Sequence, residues 1–132
     1  EQALREVDLY HLKDRNPWTL SGGEKRKLAI AGILVMEPAV IAFDEPFSNL
    51  DFPSARLVLQ TIVDLNKKGH TIIIATHDIE TVIASASRII IMSNGTIVSD
   101  GSPDTLVKEL EHFGIREPCS SKLGMGIQPW TI

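Results

Sequence analysis

Two adjacent acidic residues, Asp44 and Glu45, directly follow a short unbroken apolar run, residues 39–43. Such a run is typical of a buried parallel strand, and open α/β sheets bind ligands at the carboxyl ends of their strands. Charged residues seldom follow a buried strand unless they have a partner or bind a metal. Taken alone, the pair is explained equally well by a strand that ends in a polar loop.

A Ser-Gly-Gly-Glu segment lies about twenty residues upstream of the acidic pair. Ser21 and Glu24 have the spacing of a capping box, which predicts that a helix begins here. A serine hydroxyl and two glycines, Gly22 and Gly23, at a helix N-terminus could also bind an anion, because free N–H groups and the helix dipole point outward. For this segment by itself, a helix cap is the simpler interpretation.

Two further polar segments lie downstream, and each contains a residue type that could take part in catalysis. Residues 48–51 end in another acid, Asp51, and Thr76-His77 follow a second apolar run, residues 71–75. Because parallel strands end at the same edge of a sheet, we expect His77 at the same edge as Asp44. A single histidine is more often structural than catalytic. Three other histidines are expected to be ordinary surface or loop residues: His11, His70 and His112.

Hydrophobic periodicity and capping residues predict alternating strands and helices. The expected helices are 3–9, 22–36, 54–68, 78–86 and 103–112, and the expected strands are 39–43, 71–75, 88–92 and 96–99. Asn94-Gly95 is a strong signal for a two-residue hairpin turn. The order predicts an α/β fold with a mainly parallel sheet and an antiparallel edge hairpin. No periodicity continues after Gly114, so residues 115–132 are predicted to form an irregular tail.

Composition narrows the class of protein. The chain has 132 residues, 43% of them hydrophobic, which suffices for one modest domain but not for two. A net charge of −4 argues against a nucleic-acid binder that works by overall charge. The single cysteine, Cys119, excludes an internal disulfide and indicates a reducing compartment. No apolar run reaches the roughly 18 residues of a membrane span. Because residue 1 is Glu, we expect the chain to start inside a longer gene product.

In this order and spacing, the four polar segments strongly resemble motifs of the ATP-binding cassette (ABC) ATPase domain. They are similar to its signature motif, its Walker B strand with the catalytic glutamate, its D-loop and its switch histidine. The matching residues are Leu20–Glu24, residues 40–45, residues 48–51 and Thr76-His77.

The resemblance covers about residues 3 to 114, and residues 24–38 look most like ATPases of energy-coupling-factor importers for vitamins and metal ions. It implies a partial P-loop NTPase (RecA-like) fold with three layers. Residues 1–114 would then be the C-terminal portion of an ABC ATPase domain, and residues 115–132 match nothing in the family.

Members of the family bind ATP and Mg²⁺ between two domains that meet head to tail. The resemblance therefore implies that Ser21, Gly22, Gly23 and Glu24 belong to a nucleotide-binding segment that contacts the γ-phosphate of ATP held by the partner domain. Asp51, also assigned to nucleotide binding, would couple the two sites across the interface.

The same resemblance implies roles for the residues at the strand ends. Asp44 would hold Mg²⁺ through water. Glu45 would orient or deprotonate the attacking water, and His77 would hydrogen-bond the γ-phosphate.

The chain also departs from the family pattern. It has no Gly-x-x-x-x-Gly-Lys-[Ser/Thr] phosphate-binding loop, no glutamine-bearing loop and no aromatic adenine contact. This chain alone is therefore expected to have no ATPase activity. In the family the P-loop strand lies between the strands equivalent to residues 71–75 and 88–92. We expect these two strands either to pair directly or to leave a gap that a second copy or another chain fills.

The function implied is that of an ATPase subunit that couples ATP hydrolysis to import of a small solute. Its partners would be a second ABC ATPase domain and transmembrane subunits, without nucleic acid, at the cytoplasmic face of the cell membrane. One alternative is a non-transport ABC ATPase acting on DNA or ribosomes, against which the acidic charge argues. Another is a non-catalytic remnant that keeps the fold for interaction, against which Glu45 and His77 argue.

Overall fold

The computed structural model describes residues 1–129. The chain divides into two compact units, one of Glu1–Thr76 and one that begins at His77.

The first unit contains three helices and a parallel pair of strands. The elements are α1 (Gln2–Glu6), α2 (Gly22–Leu34), β1 (Val40–Asp44), α3 (Phe52–Lys67) and β2 (Thr71–Ala75). Short 3-10 turns cover Tyr10–Leu12 and Pro17–Thr19. The predicted elements are confirmed to within a few residues.

The start of α3 differs from the prediction, because the helix begins at Phe52 and not at Ser54. Asp51 is its N-cap, and the Asp51 carboxylate accepts a hydrogen bond from the Ser54 backbone N–H at 2.9 Å. Pro53 lies in the first turn, where its missing N–H costs nothing. The helix ends as expected before Gly69, whose φ of 104° suits a residue without a side chain.

The parallel sheet buries one of its two faces. Ile41 and Phe43 of β1 are buried, and they pair in register with Ile72 and Ile74 of β2. The core of this unit also includes buried residues of both long helices: Ile30, Leu34, Val58, Ile62 and Leu65. On the opposite face Val40 is 53% exposed and Ile73 is 55% exposed. Parallel sheets are usually covered on both faces, so this exposed apolar face is unusual.

The second unit is built around an antiparallel hairpin. Its strands are β3 (Ile89–Ser93) and β4 (Thr96–Gly101), and its α-helical segments are α4 (Ile79–Val82), α5 (Pro103–Leu106) and α6 (Cys119–Lys122). Its core is formed by buried aliphatic side chains: Ile83, Ile89, Ile91, Leu106, Val107 and Leu110.

The predicted hairpin turn is confirmed. Asn94 and Gly95 have φ values of 50° and 75°, and a type I′ turn needs positive φ at both central residues. At the other end of the hairpin, Arg88 donates two hydrogen bonds to Asp100, from Nε to Oδ1 at 2.8 Å and from Nη2 to Oδ2 at 2.6 Å. The pKa of the Asp100 carboxyl lies below its ordinary value because of these hydrogen bonds.

The expected fold class is confirmed, since the chain is α/β with parallel strands and an antiparallel pair. The expectation of one sheet is wrong, however: within residues 1–129 β1 pairs only with β2, and β3 only with β4. Direct pairing of β2 with β3 is therefore not observed. The physical reason lies in the sequence, because the chain lacks the P-loop motif whose strand, by the resemblance, would join β2 to β3 in one sheet.

Two predicted helices are shorter than expected. Residues 78–86 form α4 and then a 3-10 turn, Ile83–Ser85, and α5 continues after Leu106 as a 3-10 segment, Val107–Phe113.

The tail is also more ordered than predicted. It contains the single turn α6, and Lys122 in that turn forms an ion pair with Glu111. Ile115 and Ile127 pack against the core of the second unit. The domain boundary at residue 114 stays a prediction. In the described part of the chain, no helix is long and apolar enough to cross a membrane.

Candidate functional site

The capping box at the start of α2 is confirmed. The Ser21 hydroxyl oxygen accepts the Glu24 backbone N–H at 3.2 Å, and the Glu24 carboxylate accepts the Ser21 backbone N–H at 2.7 Å. The hydrogen bond from the Ser21 backbone N–H, and after it one with the Ser21 side chain, holds the pKa of the Glu24 carboxyl below its ordinary value of 4.5. The Glu24 carboxylate thus serves the helix cap, and a role for Glu24 in nucleotide binding stays a prediction.

Gly22 and Gly23 have a packing role that sequence reasoning missed. A Cβ atom on Gly23 would lie 3.0 Å from the Ser54 Cβ and 3.2 Å from its Cα. On Gly22 it would lie 3.2 Å from Leu50 Cδ2. The two glycines therefore let the N-terminus of α2 lie directly against the segment that precedes and begins α3. No local sequence signal could reveal this contact.

The structure thus brings two of the predicted segments together, namely the signature segment and the segment that ends in Asp51. Ser21 and Gly22 are exposed at the N-terminus of the 13-residue helix α2, whose first N–H groups lack partners within the helix. The Asp51 carboxylate caps α3, and the hydrogen bonds from the Ser54 side chain and backbone hold the pKa of Asp51 below 3.8. Its proposed action across an interface stays a prediction.

Asp44 and Glu45 lie at the carboxyl end of β1, as expected. Asp44 is exposed and Glu45 is half-buried. The Glu45 backbone N–H continues the β1–β2 ladder by donating to the Ala75 carbonyl at 2.9 Å. Glu45 has a φ of 44°, a left-handed conformation that costs a residue with a side chain about 1–2 kcal/mol. Such strain is concentrated at functional sites in proteins.

The Glu45 side chain contacts a residue at the end of β2. The Thr76 hydroxyl donates to Glu45 Oε2 at 3.1 Å, in a partly buried setting. Because the two residues are 31 positions apart, no local pattern predicts the contact. The parallel register of β1 and β2 brings them together.

His77 begins the second unit and is exposed. The next residue, Asp78, accepts a hydrogen bond from the Thr81 hydroxyl at 2.6 Å and so fixes the entry to α4. The predicted catalytic role of His77 stays a prediction.

The chemistry of Asp44 fits Mg²⁺. That ion commonly takes one or two protein carboxylates and completes its shell with water and phosphate oxygens. An exposed carboxylate at a strand end meets this need without a dedicated cage. Among residues 1–129 there is no group of three or more His, Cys, Asp or Glu side chains arranged to hold a metal.

Known proteins similar to this chain share its fold and much of its sequence. One family model matches residues 3–84, and its description is an AAA domain of the candidate AbiEii toxin in a type IV TA system. The energy-coupling factor transporter ATP-binding protein EcfA of Methanocaldococcus jannaschii is 41% identical over 111 residues, covering 84% of this chain and 40% of that protein.

Two further similar proteins are also described as parts of transporters. EcfA1 of Halalkalibacterium halodurans is 40% identical over 131 residues, covering 97% of this chain and 47% of that protein. The solved structure of cbiO1 from Clostridium perfringens, described as part of the ABC transporter complex cbiONQ, is 36% identical with a TM-score of 0.77. That match covers 93% of this chain and 51% of the solved one. The chain therefore spans about half the length of the relatives it matches, or less.

Proposed function

Because this chain belongs to the AAA-domain family and its homologues are ABC transporter ATP-binding proteins, we propose that it is the C-terminal part of an ABC ATPase subunit. The subunit would hydrolyse ATP to drive import of a small solute. The observation that carries the proposal is the acidic pair Asp44-Glu45 at the carboxyl end of a parallel strand, with Glu45 strained and hydrogen-bonded from the next strand.

Glu45 is the proposed general base. It would accept the proton of the attacking water as the water oxygen bonds to the γ-phosphorus and the bond to the ADP oxygen breaks. The half-buried position of its carboxylate supports this role, because a base that is partly shielded from solvent keeps a defined orientation. Asp44 would hold Mg²⁺ through water, and the bound ion would offset negative charge on the phosphate oxygens.

The N-terminus of α2 is proposed to bind the γ-phosphate of ATP held by the partner domain. The exposure of Ser21 and Gly22 and the direction of the helix dipole support this assignment. Glu24 would act by holding the cap in shape, since its carboxylate is used by the Ser21 N–H. His77 would donate a hydrogen bond to the γ-phosphate, and Asp51 would link the two sites of the dimer.

The proposed partners are a second ABC ATPase domain and transmembrane subunits. The relatives' description as transporter ATP-binding proteins and the cbiONQ complex of the solved relative support this. We propose a peripheral location at the cytoplasmic face of the membrane, where such a subunit would meet ATP.

The test uses a complete subunit, meaning this chain joined in one polypeptide to the P-loop half of the ABC family. Steady-state hydrolysis of MgATP is measured for this subunit, for Glu45→Gln and for Glu109→Gln, an exposed glutamate of the second unit that serves as the matched control. We expect Glu45→Gln to lower kcat by about 10²–10⁴ and the control to leave it unchanged. A Glu45→Gln variant that retains more than half of the rate would refute the role of the base.

A further inference from the structure

Two consecutive residues at the end of β2 hold Glu45. The Ala75 carbonyl accepts the Glu45 backbone N–H at 2.9 Å, and the next residue, Thr76, donates its hydroxyl to Glu45 Oε2 at 3.1 Å. The main chain and the side chain of Glu45 are thus both attached to the neighbouring strand. The Glu45 carboxylate is attached to the backbone through two flexible methylene groups. The hydrogen bond from the Thr76 hydroxyl gives this carboxylate a defined direction.

Threonine suits this task better than a longer hydroxyl or amide side chain would. Its branched Cβ limits the rotamers about χ1, so the direction of the hydroxyl follows from the backbone at the strand end. Thr76 and Glu45 are both half-buried, and a hydrogen bond to an ionised carboxylate is stronger where water is partly excluded. The Thr76 hydroxyl therefore favours one orientation of the carboxylate.

From this contact we infer that Thr76 is a positioning residue for Glu45, an inference that rests on the proposed function. It orients the carboxylate toward the position where the proton of water is to be accepted. Thr76 touches Glu45 and is not assigned any contact with ATP.

The first arm of the test uses this chain alone, so it does not depend on catalysis. The mobility of the Glu45 side chain is followed by NMR relaxation of its labelled γ-carbon, whose signal is assigned with Glu45→Gln. Thr76→Val keeps the branched shape and removes the hydroxyl, whereas Thr76→Ser keeps the hydroxyl. We expect the Glu45 side chain to become more mobile in Thr76→Val and to stay as ordered as in wild type in Thr76→Ser. Thr96→Val, which removes the hydroxyl that donates to the Ser93 carbonyl in the hairpin, is the matched control and should leave the mobility of Glu45 unchanged.

The second arm uses the complete subunit. Because a misplacement of about 1 Å can cost about a hundredfold in rate, we expect Thr76→Val to lower kcat by about tenfold to a hundredfold. The KM for ATP should stay within about twofold, since Thr76 is assigned no contact with ATP. Thr76→Ser should recover most of the rate.

The outcomes separate this inference from the function on which it rests. A Thr76→Val variant whose Glu45 side chain is as ordered as in wild type and whose kcat is within twofold of wild type overturns the inference. Equal losses in Thr76→Val and Thr76→Ser also overturn it, because they indicate a purely structural role. A gain in Glu45 mobility that Thr76→Ser reverses, together with a complete subunit that lacks ATPase activity, supports the positioning of Glu45 and overturns the proposed function.

Discussion

Gly23 and Gly32 lie in the same helix, α2, and we predict that alanine at the two positions has opposite effects on stability. At Gly32 a Cβ atom would meet nothing within 4 Å. Alanine should therefore stabilise the chain by about 0.5–1 kcal/mol, because it has the higher helix propensity and because it lowers the conformational entropy of the unfolded chain. At Gly23 the same Cβ would lie 3.0 Å from the Ser54 Cβ and 3.2 Å from the Ser54 Cα and Oγ.

The backbone of Ser54 at the start of α3 cannot give way as a flexible side chain would. Overpacking of this kind costs about 1–3 kcal/mol. Subtraction of the propensity gain of about 0.5–1 kcal/mol leaves a range of about 0–2.5 kcal/mol, so Gly23→Ala should destabilise the chain by about 1 kcal/mol.

The assay is urea unfolding of this chain, followed by far-UV circular dichroism, because α2 and α3 are the two long helices of the described residues. We expect a lower midpoint for Gly23→Ala than for wild type and a higher midpoint for Gly32→Ala. A Gly23→Ala variant that is as stable as Gly32→Ala would show that the start of α2 is not packed tightly against Ser54, and it would refute the reasoning.

Three further predictions concern the chain alone. It should show no steady ATP turnover and only weak MgATP affinity, because it lacks the loop that makes most phosphate contacts; turnover that Glu45→Gln abolishes would contradict this. Its stability should fall on acidification, because folding lowers the pKa values of Glu24 and Asp51. The resulting stabilisation is present above the ordinary pKa values of 4.5 and 3.8, and it is lost as the pH falls through the pKa values of the folded state. In acid unfolding, Asp51→Asn should therefore make the free energy of unfolding depend less on pH. Within residues 1–129, one edge of β2 and one edge of β3 have no strand partner and Ile73 is exposed, so the chain should associate; sedimentation as a stable monomer with a sharp, reversible melt would argue against that.

The features that the sequence predicts well are those with local causes. The capping box of Ser21 and Glu24 and the turn at Asn94-Gly95 each lie within four consecutive residues, and the structure has both. The paired apolar runs of β1 and β2 were predictable for the same reason, since an unbroken apolar run is itself a local signal.

The features that the sequence does not predict depend on distant partners. The close approach of Gly23 to Ser54 and the hydrogen bond from Thr76 to Glu45 join residues about thirty positions apart, so no window along the chain contains both. The start of α3 lies two residues before the predicted one because the Asp51 carboxylate caps the helix, and the position of this acid in a polar segment does not by itself indicate that role. The separation into two sheets likewise depends on which strands are available to pair, and not on the propensity of any one of them.

The central claim is that this chain carries the part of an ABC ATPase that closes over ATP bound by a partner. The most direct test is sedimentation of the complete subunit carrying Glu45→Gln, with and without ATP, because this variant should bind ATP without hydrolysing it. We expect a monomer without ATP and a dimer with ATP, and we expect that adding Ser21→Arg at the N-terminus of α2 returns the ATP-bound subunit to a monomer. A dimer that forms equally with Ser21→Arg, or no ATP-dependent dimer at all, would contradict the account.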